Sequence, residues 1–228
     1  MLQFLGRDSA FADAQNCAYF VSGDALILLD CPMSAFHVLR RNGIAQKQIY
    51  VLVTHTHSDH VGGIPMLIHY ARYMADAKVQ VVAPTEEVAE DLRYLIERLD
   101  GCDSAAYTVL TADALHTDWF AGTVPVRHVP SLAGRCFGCR LRISGTDVIY
   151  TGDAAELAPF LPYLHSGVYF YTECANFDSG VHMYIDTVLP SLKQLTADGV
   201  HVYLMHLDNE PAIAEKIAGT GIEFAPLA

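Results

Sequence analysis

Residues 49–63 read Ile49-Tyr50-Val51-Leu52-Val53-Thr54-His55-Thr56-His57-Ser58-Asp59-His60-Val61-Gly62-Gly63, and the change of character after Val53 decides the architecture. Up to Val53 the chain is apolar and rich in β-branched residues, as a buried strand requires. Three imidazoles and a carboxylate then follow almost at once. Residues two apart in extended chain face the same way, so His55 and His57 can reach one metal ion. A helix starting near Asp59 swings Asp59 and His60 toward a neighbouring point, where a second metal can sit. Gly62-Gly63 leaves room for close backbone approach at that turn. A chance loop rarely places this density of ligands directly behind a buried strand. Imidazole and carboxylate donors suit zinc, manganese or iron rather than calcium.

Two metals separated by roughly 3.5–4 Å need about seven ligands, so the rest of the chain must supply more. Three further polar groups follow apolar strands. His128 closes a strand read at Thr123–His128, Asp153 follows Val148-Ile149-Tyr150-Thr151-Gly152, and His206 follows His201-Val202-Tyr203-Leu204-Met205. Each alone could be a cap or a satisfied core group. With the first motif they complete a set.

Outward from these points, the periodicity predicts strands near 2–5, 17–22, 25–30, 49–53, 79–83, 107–110, 123–129, 136–144, 147–151, 168–172 and 200–205. Helices are expected near 33–41, 61–75, 85–99, 155–164, 184–197 and 210–218. Strands lead and helices follow in each half, which suits two packed sheets flanked by helices better than one doubly wound sheet. The expected fold class is α/β, a single domain over residues 1–228 built as two similar halves.

Bulk properties restrict the function. The 228 residues are 52% hydrophobic and 18% charged, a globular composition. No apolar run approaches the roughly 20 residues of a membrane helix. The start, Met1-Leu2-Gln3-Phe4-Leu5-Gly6-Arg7-Asp8, lacks the basic and long apolar regions of a signal peptide, so the expected location is cytoplasmic. A net charge of −12 disfavours contact with long nucleic acid, although bound cations would reverse the potential inside an acidic site. Six cysteines form no dense framework, and Cys136-Phe137-Gly138-Cys139 lies in a strand, where positions three apart point to opposite faces.

The order H-x-H-x-D-H, single His, T-G-D, late His resembles the metal-binding series of the metallo-β-lactamase superfamily over nearly the whole chain. The resemblance implies an αββα sandwich of two mixed sheets. It also implies that His55, His57 and His128 hold one divalent metal, that Asp59, His60 and His206 hold the other, and that Asp153 bridges them. Zinc is the first expectation, with manganese and iron as alternatives, and a hydroxide held between the metals would be the nucleophile.

Within that superfamily the chain looks like the ribonuclease Z-like branch. Phe4-Leu5-Gly6-Arg7-Asp8-Ser9-Ala10 is similar to its L-G-T-G-S-A opening, with Arg7-Asp8 in place of Thr-Gly. His128-Val129-Pro130-Ser131 followed by Phe137-Gly138-Cys139-Arg140-Leu141 is similar to its H-x-x-x-S…G-[FY]-R-[IL] pattern. Tyr171-Thr172-Glu173-Cys174-Ala175 resembles the H-E-A-T element, although Thr172 replaces the His, and His182 stands where a partner histidine follows. The likeness makes Asp59, Glu173 and His182 the candidate catalytic residues, with His182 protonating the leaving group. Arg135 and Arg140 are candidates for a substrate phosphate. Tyr70, Tyr73, Tyr94 and Tyr107 are read as core and rim.

Members of the branch that process tRNA carry a long arm between the third and fourth motifs, whereas His128 and Asp153 are 25 positions apart with one hairpin between them. The expected activity is therefore cleavage of a small phosphodiester such as a cyclic nucleotide. The alternative is hydrolysis of a lactone, thioester or β-lactam at the same site. Dimerisation is common in the branch, so a homodimer is a further expectation.

Overall fold

The computed structural model describes residues 1–228. Two six-stranded mixed sheets carry the chain, in the orders β1-β2-β3-β4-β5-β6 and β12-β11-β10-β9-β8-β7. The contacts divide it into two compact units, one of Leu2–Arg7, Asp13–His116 and Leu227–Ala228, the other of Met1, Asp8–Ala12 and Thr117–Pro226.

In the first unit, β1 (Gln3–Gly6), β2 (Cys17–Ser22) and β3 (Ala25–Leu29) pair antiparallel. Strands β4 (Gln48–Leu52), β5 (Lys78–Ala83) and β6 (Tyr107–Thr111) then add in parallel. Parallel pairing needs crossovers, supplied here by α1 (Met33–Asn42), α2 (Ser58–Val61) with α3 (Ile64–Tyr70), and α4 (Glu86–Arg93). α3 and α4 each run on into a π-helical turn, at Ala71–Ala75 and Tyr94–Leu99. The core joins Leu28, Val51 and Val81 of the sheet to Phe36, Leu67 and Leu92 of the helices. The Gly62-Gly63 reading is borne out. A Cβ at Gly62 would run into the Ser58 carbonyl, and one at Gly63 into those of Pro32 and Cys31.

The second unit repeats this pairing sequence. Strands β7 (Phe120–Pro125), β8 (Phe137–Ile143) and β9 (Thr146–Tyr150) are antiparallel. β10 (Tyr169–Glu173), β11 (His201–Met205) and β12 (Glu223–Phe224) follow in parallel. Helices α5 (Ile185–Ala197) and α6 (Glu210–Ile217) provide the crossovers to β11 and β12, and Phe170, Leu192, Leu204 and Ile213 anchor the core.

Two sequence expectations need correction, and one strand has no counterpart among them. β7 runs from Phe120 to Pro125 rather than over 123–129, so His128 lies three residues beyond the strand instead of closing it. A register shift between Phe120 and Gly122 breaks the alternation that would have marked the true start. The helix expected near 155–164 is a short 3-10 segment, Ala158–Tyr163, because Pro159 and Pro162 remove the N–H groups that an α-helix needs. β12 was not foreseen, since two residues show no period.

Candidate metal centre

In the first unit the ligand loop follows β4 directly. His57 caps α2, and Asp59 and His60 lie in that helix's only turn. His55 and His60 are fully buried, and Asp59 is nearly so. His55 Nε2 and His57 Nδ1 are 3.0 Å apart, and His60 Nε2 is 3.3 Å from Asp59 Oδ2.

A residue not singled out in the sequence organises this cluster. Asp30, buried and held at φ 62°, ends the apolar run of β3. Its Oδ1 accepts from the Thr54 backbone N–H at 2.8 Å, and its Oδ2 accepts from the Thr54 hydroxyl at 2.8 Å and from His60 Nδ1 at 2.7 Å. A carboxylate only accepts, so His60 carries its proton on Nδ1 and a lone pair on Nε2. Thr54 spends its single hydroxyl proton on Asp30. It therefore accepts from His55 Nδ1 at 3.0 Å, which leaves the His55 lone pair on Nε2.

The second unit follows the same logic. His128 Nδ1 donates to the Val181 carbonyl at 2.8 Å, leaving Nε2 as an acceptor 3.7 Å from Asp153 Oδ2. His206 Nε2 is 3.5 Å from the same oxygen. His206 holds φ 53°, so both strand-end residues, Asp30 and His206, store backbone strain. At His60 and His128 the Nε2 lone pair turns toward a carboxylate oxygen while Nδ1 is tied to an acceptor, the donor pattern of metal-ligating histidine. The residues fit a divalent cation.

Beside these ligands, Glu173 is buried at the end of β10. Its Oε1 accepts from the Ala154 N–H at 2.6 Å, and its Oε2 lies 2.9 Å from His182 Nδ1. Burial raises the Glu173 carboxyl well above its ordinary range and Asp153 adds to this, while His206 acts the other way. The His182 ring packs 4.8 Å from that of His128 and 5.3 Å from that of His206. Its side chain is 21% exposed against 0% for Glu173, so the imidazole is the solvent-facing member of the pair.

The two arginines read as phosphate candidates each donate to a backbone carbonyl. Arg140 donates to the Ala121 carbonyl at 2.7 Å and lies over the Tyr163 ring, and Arg135 donates to the Ser131 carbonyl. Tyr107 is buried, whereas Tyr73 and Tyr94 are exposed. No disulfide joins the cysteines, all of which are buried, Cys136 and Cys139 among them.

Asp30 could have been found by the rule that found Asp153, a polar residue closing an apolar strand. Asp30→Asn keeps the shape but turns one acceptor into a donor. Metal affinity should fall about 10–100-fold, the range for partners that orient a ligand. Competition with a chromophoric chelator measures this, and unchanged affinity would reduce Asp30 to a structural cap.

The family described as Anti-Pycsar protein Apyc1 matches residues 1–224. The chain belongs to that family. An Anti-Pycsar protein Apyc1 of Bacillus phage BSP38 is 28% identical over 229 residues, spanning 90% of this chain and 88% of the relative. Among solved structures, the metallo-β-lactamase fold protein YhfI from Bacillus subtilis superposes with a TM-score of 0.77 at 18% identity, covering 100% of this chain and 95% of that one. The short form of human tRNase Z superposes with a TM-score of 0.68 at 15% identity, covering 92% and 93%. These likenesses show the metallo-β-lactamase fold expected from the motif series. With its buried His and Asp clusters, this Apyc1-family chain has the features of a metal-dependent hydrolase. None of its helices is long and apolar enough to cross a membrane.

Proposed function

We propose that this Apyc1-family chain is a phosphodiesterase that cleaves a small phosphodiester such as a cyclic mononucleotide. The observation that carries the reading is the Glu173–His182 pair, packed against the candidate ligands His128 and His206. An ester alkoxide is a poor leaving group and needs a proton as the P–O bond breaks. A thioester, whose thiolate departs unaided, does not.

In this reading His55, His57 and His128 hold one divalent cation, Asp59, His60 and His206 hold a second, and Asp153 serves both. When bound, such cations neutralise phosphoryl charge and lower the pKa of water toward about 7. Zinc is the first candidate, with manganese or iron as alternatives. Asp59 orients the attacking water and takes its proton. His182, held through Nδ1 by Glu173, presents Nε2 and delivers a proton to the departing oxygen. The water oxygen thus forms the new P–O bond as the ester P–O bond breaks.

A small substrate is supported by the short segment between His128 and Asp153, which holds one 3-10 turn and the β8–β9 hairpin, and by the −12 net charge. Action in the cytoplasm as a homodimer completes the proposal. The test is a turnover panel on metal-replete protein: bis-p-nitrophenyl phosphate and cyclic mononucleotides beside a lactone, a thioester and a chromogenic β-lactam. Phosphodiester turnover that chelation abolishes supports the reading. Turnover confined to acyl substrates overturns it.

A further inference from the structure

A second group of ligand-type side chains lies in the first unit and shares no residue with the set above. His69 sits in the last turn of α3, Asp100 caps the π turn Tyr94–Leu99, and Cys102 follows two residues later. Gly101 between them takes φ 69°, a left-handed bend that folds the chain back. Bonds from the Asp100 N–H to the Leu95 carbonyl at 3.2 Å and from the Cys102 N–H to the Ile96 carbonyl at 3.0 Å fix that bend. Both side chains consequently meet His69.

The three donor atoms are mutually adjacent. His69 Nε2 is 2.8 Å from Asp100 Oδ2, Cys102 Sγ is 3.6 Å from His69 Nε2, and Cys102 Sγ is 3.6 Å from Asp100 Oδ2. Tetrahedral zinc, with bonds of about 2.0–2.1 Å to nitrogen and oxygen and about 2.3 Å to sulfur, has ligand edges of roughly 3.6 Å to sulfur and roughly 3.3 Å between nitrogen and oxygen. Both sulfur edges match. The nitrogen–oxygen edge needs to open by about 0.5 Å on that comparison, on the side where His69 and Asp100 are 33% and 37% exposed. Cys102 is 7% exposed and anchors the buried corner.

We propose that His69, Asp100 and Cys102 form a separate site for zinc or a similar thiophilic divalent cation, with solvent at the fourth position. One imidazole, one carboxylate and one thiolate are three donor types that zinc accepts together. The site would clip α3 to the end of the π turn that follows α4, closing a long loop in the manner of a structural metal. In the metal-free cluster the thiol is pushed up to about 12 by burial and by the Asp100 charge. A dication offsets that repulsion and displaces the proton, so uptake releases a proton and strengthens as pH rises.

The test is cobalt(II) titration of metal-stripped full-length protein, with zinc counted by elemental mass spectrometry after reconstitution. The ligands proposed for the hydrolytic centre are nitrogen and oxygen donors only, so a near-ultraviolet thiolate-to-cobalt band reports a cysteine. The band should appear in the unmodified chain and vanish in Cys102→Ser. The half-exposed His69→Ala is a second variant that spares the buried corner. Each variant should bind about one equivalent less zinc than the unmodified chain, the loss of one site. Absence of the band in the unmodified chain, or a band and zinc count unchanged in both variants, overturns the site.

Discussion

Asp153→Asn should lower kcat/KM for bis-p-nitrophenyl phosphate by at least about three orders of magnitude, roughly 4 kcal/mol of barrier. The substitution preserves volume and removes one charge. Asp153 Oδ2 lies 3.5 Å from His206 Nε2 and 3.7 Å from His128 Nε2, and the residue is almost fully buried. An acceptor facing two imidazole nitrogens suits a cation or protons between them, and the amide of asparagine would place N–H groups or a neutral oxygen there. Metal content should fall together with turnover. The fold should persist, because Val148, Ile149 and Tyr150 keep β9 in the core independently of the carboxylate. Kinetics, elemental analysis and a thermal melt on the same sample separate these effects. A variant that keeps both its metal and its turnover would remove Asp153 from the centre.

His182→Ala should divide substrates by leaving group. A positioned general acid contributes about 10²–10⁴-fold where the leaving oxygen needs a proton. A cyclic nucleotide, whose leaving oxygen is a ribose alkoxide, should lose that factor. The loss should be small for bis-p-nitrophenyl phosphate, because nitrophenolate departs unaided. Glu173 holds His182 by a single 2.9 Å contact while its other oxygen is tied to the Ala154 N–H, so Glu173→Gln should give a milder version of the same split. Equal losses on both substrates, or none, would reduce the pair to a support for His128 and His206.

Much of this was legible because strands end in ligands. An apolar β-branched run followed by His, Asp or Glu marks where a buried strand releases its chain, and the rule places His55, Asp153, Glu173 and His206 directly. It also marks Asp30, although a single carboxylate after Leu29 has no neighbouring histidine in sequence to signal a site. Its role depends on His60 and Thr54, which only the parallel β3–β4 pairing brings to it. The sequence pattern draws His128 into β7 because the register shift near Gly122 hides the start of that strand. The His69–Asp100–Cys102 group was invisible for a similar reason. His69 is 31 positions from Asp100, and no local period connects a helix end to a left-handed glycine.

The most direct measurement is hydrolysis of a 3′,5′-cyclic mononucleotide by metal-replete protein in ¹⁸O-labelled water, followed by phosphorus NMR and mass spectrometry. The expected product is a phosphomonoester carrying one solvent oxygen on phosphorus, with no product from metal-stripped protein or from Asp153→Asn. An inert cyclic nucleotide, with label entering instead the carboxylate released from a lactone or thioester, would contradict the phosphodiesterase reading.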